Sequence, residues 1–283
     1  DNLINSTAIS LITGATAIDA NISKMRNEGI EINIESTNIQ TKDFSWSTSL
    51  NISKNKNKIL DLYVPKLGST NKVWRVGQDV NTWNLVRWAG VNPRNGEPLW
   101  YDINGNITNV YDVNNSVPYK TSTPDFEGGI RNNLTYKDFS LGMIMTYTVG
   151  GYAYSSFSGL RTSDGRNIQT ENQSINQLDR WQKPGDISIS PKPLWDINTN
   201  SGRSSTRFLF NKTHLRLKNI ALGYTIPKSI LDRGGLSSGS VSFIVDNIAI
   251  WTPYGKSGRN TYAQSMSGYP AEITYSLGLN LAF

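Results

Sequence analysis

The residues best suited to hold a ligand gather between positions 74 and 101. Trp74, Trp83, Trp88, Trp100 and Tyr101 stand there among Asn, Arg and Gln. Aromatic faces stack on sugar rings or clasp a peptide, and nearby amide and guanidinium groups bond hydroxyls and carbonyls. The same rings could instead anchor their own segment or meet a partner, so both roles stay open. Just beyond them, Asp102-Ile103-Asn104-Gly105-Asn106 has the oxygen spacing of a loose calcium loop. Asn104-Gly105 between Tyr101 and Ile107 is more simply a tight hairpin turn, and no metal site is expected.

Other chemistry is excluded by composition. The 283 residues contain no cysteine and one histidine, His214. Thiolate metal sites, disulfides, cysteine nucleophiles and any centre needing two imidazoles are therefore ruled out. His214 lies beside Leu215-Arg216-Leu217 and reads as a wall or loop-base residue. There is no glycine-rich phosphate loop after a strand and no cluster of metal ligands. The chain is expected not to be an enzyme and to carry no cofactor. A net charge of +6 permits nucleic-acid binding, but the Lys and Arg are dispersed and form no stripe, so none is expected. No apolar run approaches the roughly 18–20 residues of a membrane helix.

The elements that must carry these residues are strands. Phe44, Trp46, Thr48, Leu50 and Ile52 alternate with Ser45, Ser47, Ser49 and Asn51. This period-two pattern gives one apolar face and one small polar face. Phe139 to Tyr147 repeats it, and so does Ile273 to Phe283. Further strands are expected near 1–11, 28–40, 127–136, 213–225 and 240–250, with a short helix from Pro227 to Arg233. Each strand is about ten residues long, enough for a tilted strand to cross a bilayer.

Short and long connections alternate. Thr41-Lys42-Asp43 and Tyr136-Lys137 are tight, whereas long loops are expected at approximately 55–126, 149–212 and 251–271. A transmembrane β-barrel is built in this way, with clipped turns on one side and long extracellular loops on the other. The polar faces carry Ser, Thr, Gly and Asn, which suits a lumen, while Phe139, Tyr147, Tyr275 and Phe283 could form interfacial girdles. The fold expected is all-β: a transmembrane antiparallel barrel segment of about eight strands. Two alternatives remain, a secreted or surface β-sandwich that binds glycans and a small autonomous porin. The second would be underfilled, because an eight-stranded barrel is packed by its own side chains and these inward faces are small.

The last strand adds a signal. Ser276, Gly278, Leu281 and Phe283 give a polar residue, a glycine and alternating apolar residues ending on an aromatic at the final position. The pattern resembles the assembly signal of bacterial outer-membrane barrels, in which an exposed strand edge is captured by strand addition.

Several segments resemble the SusC/RagA family of TonB-dependent nutrient transporters of Bacteroidetes outer membranes. They are Asn27 to Ile32, Thr41 to Trp46, Gly96 to Asp102, Tyr136 to Leu141, Arg180 to Asp186, Leu215 to Pro227, Tyr269-Pro270 and Gly278 to Phe283. The chain departs from the family at Trp251 to Asn260, where an acidic Asp-Pro-Glu usually follows the glycine, and at Asn92-Pro93-Arg94-Asn95-Gly96, which has Asn where an Asp is common. The resemblance implies a 22-stranded barrel around a plug, of which residues 1–283 would form the C-terminal part, with plug and N-terminal regions absent. It implies import of nutrient oligomers, glycan or peptide, with a SusD-like surface lipoprotein as partner. Other implied partners are the TonB complex acting through the missing N-terminal part, the rest of the barrel and plug, outer-membrane lipid and the barrel assembly machinery. The implied location is the bacterial outer membrane.

Overall fold

A computed structural model describes residues 2–8, 12, 14, 16–62, 71–162, 164–195, 199–253 and 271–283. Three strands open the chain: β1 (Asn2–Ala8), β2 (Ala17–Gln40) and β3 (Phe44–Leu62). Five short ones follow: β4 (Thr82–Val86), β5 (Trp88–Val91), β6 (Pro98–Tyr101), β7 (Ile107–Thr108) and β8 (Ser116–Thr121). The long hairpin β9 (Phe126–Tyr136) and β10 (Phe139–Val149) comes next, then β11 (Tyr152–Tyr154), helix α1 (Ser156–Arg161) and β12 (Leu209–Asn211). The chain continues through β13 (His214–Thr225), helix α2 (Lys228–Leu231), β14 (Ser238–Trp251) and β15 (Thr274–Ala282).

Eight of these strands form one antiparallel sheet in the order β1-β2-β3-β9-β10-β13-β14-β15. Each neighbour is thus the next long strand along the chain, the meander of an up-and-down barrel wall. A two-layer sandwich would need a second sheet packed on this one. The other described sheets have two or three short strands and lie in the loops. The order is open, with β1 and β15 at its two ends and not paired to each other.

Register assigns the two faces. Ser45, Thr135, Ser140, Gly223, Ser242 and Gly278 align across six strands, followed by Ser47, Asn133, Gly142, Ala221, Ile244 and Ser276. The opposite face aligns Phe44, Tyr136, Phe139, Tyr224, Val241 and Leu279, then Trp46, Leu134, Leu141, Leu222, Phe243 and Leu277. Leu277 and Leu279 are 79% and 63% exposed, which is costly in water and favourable against lipid. At the tight-turn end Phe139 and Tyr224 pack with ring centroids 4.7 Å apart. Tyr147 marks the other end of β10, and its hydroxyl donates across β9 to the Asn51 carbonyl at 3.1 Å. Gly128 makes this possible, because a Cβ there would collide with that carbonyl and with the Tyr147 hydroxyl. Polar residues on the apolar face bond one another: Asn38 donates to Thr48, and both Thr48 Oγ1 (2.7 Å) and Trp46 Nε1 (3.0 Å) donate to Asn132 Oδ1.

The turns are tight for identifiable reasons. The Thr41 backbone N–H and hydroxyl both donate to the Phe44 carbonyl, and the hydroxyl accepts from the Phe44 N–H. Lys137, at φ 51°, supplies the left-handed residue of the β9–β10 hairpin. The expected helix after Pro227 is present as α2 and a further short turn, closed by Gly235 at φ 68°.

Two differences from the sequence reading concern strand length and loop order. The strand expected to end near Ile52 continues to Leu62, so β3 has 19 residues, more than the roughly 9–11 a tilted crossing needs. Lys54, Lys56 and Lys58 hide the continuation in a composition that looks like loop, yet Asn57 and Ile59, on either side of Lys58, are buried. The long connections are also not structureless. The chain forms two compact units, 1–28 with 56–123 and 152–210, and 29–55 with 124–151 and 211–283. The first unit has its own core of Ile59, Leu62, Val73, Leu85, Val86, Trp100, Trp181 and Phe208. Of the third expected loop, 251–271, residues 254–270 lie outside the described residues, including most of the departing segment Trp251 to Asn260.

Candidate functional site

Within the first unit, the loop aromatics are positioned by the small sheets. β5, β6 and β7 form a meander in which Trp88 stands opposite Trp100. Their rings meet edge to face at 5.7 Å, and Trp100 meets Tyr111 the same way at 5.6 Å. Trp100 is 1% exposed and presents no ring face to a ligand; this corrects the expectation for that residue, whose ring packs the loop core. Trp88 is half-buried, with the Arg207 guanidinium 4.9 Å from its ring. Arg207 is itself fixed by a two-pronged bond to Asp164, at 2.6 and 2.9 Å, both side chains buried. Gln177 Nε2 donates to the same carboxylate and to Ser190 Oγ. A paired charge so enclosed fixes one geometry for the loops it joins.

Trp83 has partners of its own. Its indole N–H donates to the Tyr152 carbonyl at 2.9 Å, and its ring lies 5.9 Å from that of Tyr154. Lys72 Nζ sits 5.1 Å from the Trp83 ring and donates to Asn81 Oδ1 at 2.9 Å. Partial burial lowers the Lys72 ammonium from its ordinary 10.5, partly offset by Asp79. Burial likewise raises the Tyr154 phenol above 10.0. Lys120 Nζ lies 5.7 Å from the Tyr152 ring. Half-buried Trp83, Tyr152 and Tyr154 with two ammonium groups make a surface of cations and ring faces, able to stack on a ring or pair with a carboxylate. Tyr101 packs under Arg87, 5.2 Å away, and Trp74 is half-buried. Trp74, Trp83, Trp88 and Tyr101 therefore keep partial ring access.

Asp102 to Asn106 forms the turn between β6 and β7. Asn106 donates to the Asp102 carboxylate from its backbone N at 2.8 Å and from Nδ2 at 3.0 Å. Those bonds hold the carboxyl below its ordinary 3.8. Both carboxylate oxygens are thus engaged by the hairpin itself. Among the described residues no group of three or more His, Cys, Asp or Glu could hold a metal ion. The His214 Nδ1 lies 2.8 Å from the Lys212 carbonyl at the start of β13.

Two recesses accompany these surfaces. In the first unit a cavity of about 410 Å3 is lined by Glu97, Asn109, Lys192 and Thr199 over Pro98 and Leu194. Gly96, at φ 77°, lies against the Trp181 ring at its back. In the second unit a cleft of about 540 Å3 lies on the small polar face, among Ser47, Ser49, Asn51, Asn133 and Thr146. Glu35 and Arg131 also line it. The sequence reading did not single out these two charges, although Arg131 alternates with Asn133 and Thr135 and so shares their face. Trp181, Tyr152 and Tyr154 were missed as well; Tyr152-Ala153-Tyr154 carried a period-two signal, whereas nothing local marks Asp164 and Arg207 as partners.

The four C-terminal residues singled out in the sequence lie on β15 or directly after it. Ser276 and Gly278 lie in the small polar rows and Leu281 on the apolar face. Phe283 is 93% exposed, and the other edge of β15 has no paired strand among the described residues.

No family model matches the chain. The TonB-dependent receptor P3 of Formosa agariphila is 25% identical over 96% of the chain and 30% of its own length. The TonB-dependent receptor SusC of Bacteroides thetaiotaomicron is 28% identical over 100% of the chain and 29% of its own. The structure of the RagAB peptide importer in the open-open state has a TM-score of 0.85 at 24% identity, covering 100% of this chain and 31% of that one. The RagAB peptide transporter gives 0.80 at 25% identity, over 98% and 31%. The chain spans about three tenths of the length of these relatives. Along essentially all of its own length it is similar to the SusC/RagA-like TonB-dependent receptors, as a portion of their antiparallel β-barrel wall and loops.

Proposed function

We propose that the chain is the barrel-wall and outer-loop part of a TonB-dependent importer of nutrient oligomers, glycan or peptide, in the bacterial outer membrane. The observation that carries this reading is the pair of faces on one continuous sheet: apolar residues suited to lipid on one side, a small polar surface with a cleft on the other. A face of Ser, Gly and Thr leaves room for cargo and a plug, where large side chains would close the passage. The half-buried rings of Trp74, Trp83, Trp88 and Tyr101 make the first contacts with cargo. A SusD-like lipoprotein covers the loop side, and energy reaches the barrel through the TonB complex. The assembly machinery reads β15 and Phe283. No step of covalent chemistry is required.

Uptake of labelled oligosaccharides and oligopeptides by cells making the intact protein tests this. One cargo class should accumulate, and a protonophore should abolish accumulation. Replacing Trp83 and Trp88 by Ala should weaken cargo capture by about tenfold, the loss expected for one or two stacking contacts. Uptake that persists without the proton gradient would overturn the transport reading, and unchanged capture would return the two tryptophans to packing alone.

A further inference from the structure

The apolar face of the second unit holds a recess that the proposed transport does not use. It is a groove of about 430 Å3 that opens beside the tight turns. Tyr136, Phe139 and Tyr224 line its mouth, and Leu134, Leu141 and Leu222 follow one row further from the turns. All six belong to β9, β10 and β13, within the second unit. The backbone at the mouth is held on both sides. Lys137 donates its N–H to the Asp43 carbonyl, and Thr225 donates its own to the Asp138 carbonyl, both at 2.8 Å.

One end of the groove is polar and the other is not. The Lys137 ammonium lies 5.5 Å from the centroid of the Tyr136 ring, so its stem folds back along the ring instead of pointing into water. Tyr136 and Tyr224 bring phenolic O–H donors to the same row. Lys42, Asp43 and Asp138 complete the charges of the two turns, and all of them are exposed. Among the described residues none of these four charged side chains makes an ion pair or a side-chain hydrogen bond. Two cations and two carboxylates leave the rim neutral, while the recess beyond it is walled by hydrocarbon and rings. A girdle of aromatics is general to such walls; the recess and the ammonium laid on its ring are particular to this hairpin.

A ligand that satisfies both ends has a headgroup of one positive and one negative charge on a long apolar tail. A fatty acid or a net-anionic lipid would meet Asp43 and Asp138 with no cation to offer them. A peptide would carry N–H and C=O groups into the apolar part without partners. We infer that the groove binds one phospholipid with a zwitterionic headgroup, from the leaflet opposite the extracellular loops. Lys137 and the two phenols hold its phosphate, and Asp43 and Asp138 its ammonium. One acyl chain lies against Leu134, Leu141 and Leu222. The inference rests on the barrel-wall reading and is independent of which cargo is carried.

The test places the intact protein in dodecyl maltoside micelles with a trace of phosphatidylethanolamine whose acyl chain carries a diazirine. Irradiation and peptide mass spectrometry then locate the crosslinks. Leu134, Leu141 and Leu222 should be labelled about fivefold more than Leu277 and Leu279, which lie on the same face, and the excess should saturate. Phosphatidylglycerol and a free fatty acid bearing the same chain should lose that excess. Lys137→Gly suits the left-handed backbone at φ 51° and removes the ammonium. It should lower the groove signal about fivefold and leave Leu277 and Leu279 unchanged, while Lys137→Arg keeps the signal. Equal labelling of the groove and of Leu277 and Leu279 would overturn the inference and leave the wall reading intact. So would equal labelling by the fatty acid, or a groove signal untouched by Lys137→Gly. Absence of label from both sets would sink the wall reading and the inference with it. The headgroup comparison uses the unaltered protein, so it decides the matter should a variant fail to assemble.

Discussion

Asp102 illustrates how one side chain can look like a metal ligand and be a turn residue. Its oxygens accept both donors of Asn106, and those bonds favour the ionised carboxyl in the folded chain. The sign follows from linkage. A carboxyl whose folded value is depressed adds stability that is complete above its ordinary 3.8 and is lost as pH falls through the lowered value. Replacing Asn106 by Ala should therefore move the Asp102 titration up toward 3.8, as read by carboxyl-carbon NMR, with no response to added calcium. The turn was legible in the sequence because Asn104-Gly105 is strong local chemistry. The partnership of Asp164 with Arg207 was not legible, because it joins residues 43 apart and no local pattern encodes such a meeting.

At the scale of elements, strand identity was legible wherever period-two alternation used apolar against small residues, as in β10 and β15. It faded where the alternation used lysine against asparagine, as in the last third of β3, because burial there is supplied by the loop unit and not by the strand's own composition. The loops themselves were legible as long but not as folded. Their core residues, such as Val73, Leu85 and Phe208, are isolated in sequence and meet only through non-local pairing. One consequence of register can be checked directly. Asn132 accepts from Thr48 and Trp46 on the apolar face, where water is not at hand to replace a lost acceptor. Asn132→Ala should destabilise the wall by about 1–3 kcal/mol, measured by denaturant unfolding of the intact protein in vesicles. Asn132→Asp, which keeps the acceptor oxygens but adds a charge facing lipid, should cost more.

For the whole molecule, the sheet order and the similarity to TonB-dependent receptors argue for a wall that closes with strands other than those described here. The proposed role of the terminal strand in assembly can be tested there. Deleting Phe283 from the intact protein should lower its abundance in the outer membrane severalfold, as counted by surface labelling, while synthesis is unchanged. Equal surface abundance would mean that β15 is recruited by its Leu277 to Leu281 face alone.

Tyr147 has a mechanical implication. Its hydroxyl spans an intervening strand to reach Asn51, over the space Gly128 leaves, so β3, β9 and β10 are pinned as a three-strand plank. A chain drawn out of the membrane by one end should not release these strands as a hairpin and then a single strand. They should leave in one force peak, and Tyr147→Phe should split that peak in two.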